Sequence, residues 1–359
     1  IQGYFNLTLN GTTQVRGGMT ENVGAGIEIG SSEFGPGEDS YTWNNGTVGP
    51  CTLIIEDKAQ VTENVSGWNG GGIWMGCIGG SVFLRGNGSI TSNATGGDGG
   101  GIWTADRTTV SIESGFLIGG NLAGDDGGGL AAGENSSVRM SGSSAIAGNR
   151  SEDDGGAIFL DSYTGLSLKD SASISDNTSQ YSGGAVATNC QNGPVDMSGS
   201  ASISGNTSKY KGGGIYLVDT DRETPVAVSM KGQARIHGNT TLEITTWGEE
   251  EGDFGGGGGV YSSGDGRVEL ADSASIDSNE AAGNGGGLFA SDDVVLKGTS
   301  AIRSNTSGKT GGGIFIYGPS ENPWDPDYKP APISVKVAAT AKVSGNSPDQ
   351  CSSRDLASC

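Results

Sequence analysis

The 359-residue chain carries 41 acidic against 20 basic side chains, a formal charge of −21, and a single histidine. Such a charge repels a nucleic-acid backbone or an anionic membrane, and one histidine excludes a histidine-rich metal site. Its 68 glycines come with only 10 prolines and no three-residue period, which excludes collagen, while recurring Ile, Val and Leu argue against a disordered linker.

In chain order, residues 1–50 read as an irregular N-terminal coil and cap, with a long insertion near 30–50. From residue 51 to 346 a unit of about 28 residues recurs, clearest in SVRMSGSSAIAGNRSEDDGGAIFL, GLSLKDSASISDNTSQYSGGAVAT and PVDMSGSASISGNTSKYKGGGIYL. An apolar residue is followed six positions later by another: Leu9 and Val15, Ile55 and Val61, Leu84 and Ile90, Ile112 and Ile118, Met140 and Ile146, Leu168 and Ile174. The step continues through Met197 and Ile203, Met230 and Ile236, Leu270 and Ile276, Leu296 and Ile302, and Val337 and Val343. Three residues after the second apolar position stands an asparagine, and then comes a glycine cluster leading into an aliphatic residue. Residues 347–359 read as a C-terminal cap.

Alternation of period two, as in Val195-Asp196-Met197, is strand spacing, and the unit leaves no room for helices. A short unit of this kind cannot bury its own apolar edge and must stack on its neighbours. The expected fold is therefore all-β: a right-handed parallel β-helix of about eleven coils with three short strands per coil. Asn64, Asn93, Asn121, Asn149, Asn177, Asn206, Asn239, Asn279, Asn305 and Asn346 form the asparagine column. Asn tolerates left-handed backbone angles, and its amide bonds to the same amide one coil away. No run of 18 apolar residues occurs, so no transmembrane segment is expected.

The paired signals Ile-x-x-Asn and Gly-Gly-Ala/Gly-Ile resemble the repeats of chlamydial polymorphic outer-membrane proteins and related adhesin-like β-helices. Gly155-Gly156-Ala157-Ile158 and Gly183-Gly184-Ala185-Val186 match most closely, whereas other copies carry a third glycine. Where that family usually has phenylalanine, this chain has Ile or Val. The resemblance spans about residues 5 to 350. It implies cell-surface or extracellular display and adhesion, with a glycan, a protein receptor or further copies of the chain as partner.

Function on such a scaffold is read by column. The residue after the glycine-cluster aliphatic is aromatic in seven copies: Trp74, Trp103, Phe159, Tyr216, Tyr261, Phe289 and Phe315. With Ile73 and Ile102 facing inward, alternation sends these rings outward as a binding ribbon; the opposite register stacks them inside. Before the glycines stand Asp98, then Asp125 and Asp126, then Asp153 and Asp154. Carboxylates stacked ~5 Å apart repel unless a cation or proton lies between them, which makes calcium the candidate ion; because later coils put Ser182, Lys211 and Asn284 at the site of the second acid, a solvated acidic face is the reading favoured over it. No cofactor is required.

Long insertions place Trp247 and Trp324 on loops suited to contacts. Twelve Asn-x-Ser/Thr sequons occur. Seven fall in the asparagine column, and Asn6, Asn10, Asn45, Asn87 and Asn135 are the remaining acceptors if the chain is glycosylated. Five cysteines fit no zinc spacing. Cys51 with Cys77 and Cys351 with Cys359 are the expected disulfides, leaving Cys190 over, with five reduced thiols as the alternative.

No catalytic residue is assigned. A polysaccharide lyase or glycoside hydrolase is the alternative reading, because any two of the aligned aspartates could reach the ~5–10 Å separation that glycoside hydrolysis uses. The regularity of the acidic coils counts against it, since active sites usually break local pattern.

Overall fold

The computed structural model describes residues 6–30, 51–189, 193–218, 226–244, 255–263, 266–318 and 333–353. Each circuit of the chain contributes one strand to each of four parallel sheets. One circuit runs Ser137–Met140, Ala145–Ala147, Arg150–Ser151 and Ile158–Leu160, and each strand pairs in parallel with its equivalent in the next circuit. In the order the chain visits them, the sheets hold eleven, eleven, ten and eleven strands. The protein is thus an all-β parallel solenoid.

Four strands per circuit replace the expected three. The additional strand is only two residues long, as at Arg150–Ser151 or Thr207–Ser208, too short for alternation to announce it. The expected C-terminal cap also contributes: Cys351–Ser353 pairs with Ile314–Ile316 and closes the fourth sheet.

Inside the coils, the six-residue step places one aliphatic from the first sheet and one from the second in the same thin core, except in the last coil, where Val337 is exposed. Ile90, Ile118, Ile146, Ile174, Ile203 and Ile236 follow one another in register and are fully buried. Each such side chain contributes about 1.5–3 kcal/mol relative to exposure. The main core forms a single cluster running from Ile27 to Ala341. Cys51 and Cys77 form a disulfide spanning 26 residues. Cys351 is also disulfide-bonded; its expected partner Cys359, like Cys190, lies outside the described residues.

The asparagines form a continuous buried ladder at the corner between the second and third sheets. In each step both the backbone N–H and Nδ2 donate to Oδ1 of the next asparagine, as from Asn121 to Asn149 at 3.0 and 2.9 Å. Nδ2 also donates to a core residue's carbonyl one coil back, as from Asn121 to Ile90 at 3.0 Å. At the last rung Gln350 Oε1 takes the place of the next asparagine, accepting from Asn346 Nδ2 at 3.0 Å. The left-handed residue is not the asparagine but the one before it: Glu63, Ser92, Asp176, Ser278 and Ser304 have φ between 56° and 59°, and glycine fills the remaining copies.

Candidate functional site

The corner between the third and fourth sheets is built by the glycine cluster. Gly127 has φ +67°, and a Cβ there would lie 2.5 Å from the Leu130 carbonyl oxygen. A Cβ at the next residue, Gly128, would lie 2.4 Å from the Gly156 oxygen one coil away. Neighbouring coils meet backbone to backbone, so only glycine fits.

Two columns of side chains stand immediately before these glycines. The inner one runs Asn69, Asp98, Asp126, Asp154, Ser182. Each side chain accepts the N–H of the next residue in the column: Asp98 to Asn69 Oδ1 at 2.8 Å, Asp126 to Asp98 Oδ1 at 3.1 Å, Asp154 to Asp126 Oδ1 at 2.8 Å and Ser182 to Asp154 Oδ1 at 2.7 Å. The outer column runs Gly97, Asp125, Asp153, Tyr181, Tyr210, linked by backbone N–H to carbonyl bonds of 2.9–3.2 Å. Trp68, adjacent to Asn69, occupies the same place one coil earlier.

A carboxylate has no proton to pass along, so the inner column cannot close on itself as an amide ladder does. Burial, opposed by the backbone bond and reinforced by neighbouring acids, pushes the Asp98 carboxyl up to about 6, Asp126 to about 8 and Asp154 to about 7. Burial and then Asp125 also raise Asp153. Asp126, Asp153 and Asp154 each bring a carboxylate oxygen within 4.8 Å of the others. Asp125 stays exposed at the edge of this group. At the other end of the fourth-sheet strands, burial raises Asp106, with Asp161 adding to the effect.

The seven strand aromatics lie outside the main core, on the outer face of the fourth sheet, in two clusters. Trp74 and Trp103 stack at 5.7 Å with planes 8° apart, and Tyr261 stacks on Phe289 at 4.5 Å. Ala131 and Ala187 interrupt the column. Five rings are buried, Phe289 at 1% exposure, and only Phe159 and Tyr216 are partly exposed. The outward register expected for this column holds, and its rings are packed as a stacked outer layer, most of them covered, because alternation assigns a face but not the packing over that face.

Among the described residues, the exposed aromatics stand elsewhere: Trp68 at 59%, Tyr181 at 43% and Tyr163 at 41%. The first two share the outer column of the acidic corner. Counting two residues back from the first glycine of each cluster finds them, together with Asp125 and Asp153. Trp247, Trp324 and Asn45 lie outside the described residues. Asn6, Asn10, Asn87 and Asn135 are exposed, whereas the seven column sequons have buried asparagines held in the ladder.

The fold and this corner together define the class: a parallel β-solenoid with an acidic corner flanked by aromatic residues. Residues 200–217 match the Chlamydia polymorphic membrane protein (Chlamydia_PMP) repeat, a stretch that takes in the Asn206 corner and the glycine turn into Ile215. No match was found among curated proteins or among solved structures. Among the described residues, no helix is long and apolar enough to cross a membrane.

Proposed function

We propose that the chain is an extracellular surface protein, a right-handed β-helix of about eleven coils that serves as a structural or adhesive module. The observation that carries this reading is the match of residues 200–217 to the polymorphic membrane protein repeat, within a chain that repeats the same unit along its length. Such a rod, roughly 50 Å long at ~4.8 Å per coil, holds a side face rigidly toward a partner. Antibodies raised against the purified protein should label intact cells of the source organism, and external protease should remove the signal. Labelling only after permeabilisation would contradict the reading. On this reading Asn6, Asn10, Asn87 and Asn135 are the accessible acceptors for glycans, and endoglycosidase treatment should shift the mass of the secreted protein.

The clustering of Asp126, Asp153 and Asp154 favours a second reading of the same corner, a divalent-cation site. Calcium is the suited ion, being hard and served by several carboxylate and carbonyl oxygens. It would replace the protons that burial otherwise holds on these acids. Millimolar calcium at pH 8 should then raise the melting temperature of the wild type but not of Asp126→Asn. An equal response in both would remove calcium from this corner.

A further inference from the structure

We propose that the corner strip from Trp68 to Tyr181 binds a linear β-linked polysaccharide that carries no negative charge. The strip takes one position per coil, Trp68, Gly97, Asp125, Asp153 and Tyr181, of which Gly97 is buried and the other four are exposed. Its members advance by the coil spacing of about 4.8 Å, so the two rings stand roughly 19 Å apart. That step is close to the advance of one residue along an extended β-linked sugar chain. A polymer laid along the axis therefore meets an equivalent position at each residue, with an exposed ring at either end of the run.

The chemistry between the rings is that of hydroxyl recognition. Asp125 and Asp153 are exposed acceptors, and the half-buried Asp126 and Asp154 stand one residue behind them. Gly97 leaves the position beside Trp68 without a side chain; a Cβ there would lie 2.3 Å from Asn69 Oδ1. Aromatic faces stack on the C–H faces of pyranose rings, an interaction suited to amphipathic aromatics exposed at a surface.

The Tyr181 end is held in place before any ligand arrives. Its ring packs edge-on against Tyr210 at 5.1 Å, and Lys209 Nζ lies 4.8 Å over the Tyr210 ring. Holding the platform still lowers the ordering cost of binding. The carboxylates also set specificity, since a polyuronate laid on the strip would meet like charges at successive coils.

The proposal rests on the reading of the chain as a displayed module, which supplies an accessible side face. Its test uses purified protein, so a negative result leaves the surface assignment standing, and failed cell labelling leaves this site standing. Affinity electrophoresis and calorimetry would compare soluble β-1,4-linked glucan, xylan and N-acetylglucosamine oligomers with polymannuronate, β-1,4-linked but charged, with polygalacturonate and with polylysine. The expected result is binding to at least one uncharged glycan and none to polymannuronate or polygalacturonate. Trp68→Ala and Tyr181→Ala should each weaken that binding about ten-fold, as for loss of one stacking contact, with Trp68→Phe retaining most of it. Both residues are exposed, so the variants should melt with the wild type. Silence toward every uncharged glycan, a preference for polymannuronate, polygalacturonate or polylysine, or binding that survives the double alanine variant would overturn the proposal.

Discussion

The asparagine column turns one corner along the solenoid and, in the coils from Asn69 to Ser182, a second polar column turns another, and the two columns use nearly the same geometry for opposite ends. At the asparagine corner, every Oδ1 accepts from the neighbouring coil and every Nδ2 donates onward, so the column is buried and internally satisfied. At the glycine corner, Asp98, Asp126 and Asp154 also accept a neighbouring N–H, but a carboxylate has nothing to donate. Charge accumulates along that edge, and burial drives protons onto it. A ladder of amides holds the coils together, whereas a ladder of acids leaves an unmet demand for protons, cations or hydroxyl donors. A third arrangement supplies the control. Asp277, more deeply buried than these, is bound by Arg235 at 2.6 Å and by Ser275 at 2.6 Å, and these partners hold its carboxyl below the ordinary value despite burial.

This contrast can be broken most severely at its satisfied side. Asn177→Asp removes the onward donor and places a charge in a fully buried rung, and should cost on the order of 3–5 kcal/mol, read by chemical denaturation. Trp103→Ala removes a buried ring from the outer stack and should cost about 3 kcal/mol. A near-neutral result would restore the view of these rings as an open binding ribbon. Asp126→Asn keeps the Oδ1 acceptor for Asp154 while deleting the charge, so at pH 8 it should stabilise, on the order of 2 kcal/mol. Asp277→Asn should do the reverse, destabilising by about 1 kcal/mol, because it strips Arg235 of its partner. Opposite signs for the same substitution at the half-buried Asp126 and the buried Asp277 are the sharpest form of the comparison.

Much of the fold was legible because the repeat is dictated by packing. The spacing from Met140 to Ile146 and from Ile146 to Asn149 places two core residues and a ladder rung in each coil, and stacking follows from that pattern. The two-residue strand at Arg150–Ser151 was not legible, since two residues show no period. Nor was the left-handed angle at Ser92 or Asp176, because asparagine next in line is itself a residue that tolerates it. In the candidate site, the register of Asp98, Asp126 and Asp154 was readable from their distance to the glycines. Whether Trp74 or Trp68 meets solvent was not, since exposure depends on what packs over a face. Trp68 and Tyr181 are separated by 113 positions in the chain and join one column only when the coils are counted.

The most direct test is thermal unfolding of the wild type and Asp126→Asn, measured side by side from pH 4 to pH 9. A carboxyl whose folded value is raised from 3.8 toward 8 keeps its proton longer in the folded chain than in the unfolded one. Stability is therefore lost as pH rises through that window. The wild type should fall progressively below the variant as pH rises, with the gap widest near pH 8 and closing toward pH 4. A variant less stable than the wild type at pH 8, or a gap that does not change with pH, would show that the acidic corner is as well satisfied as the asparagine one.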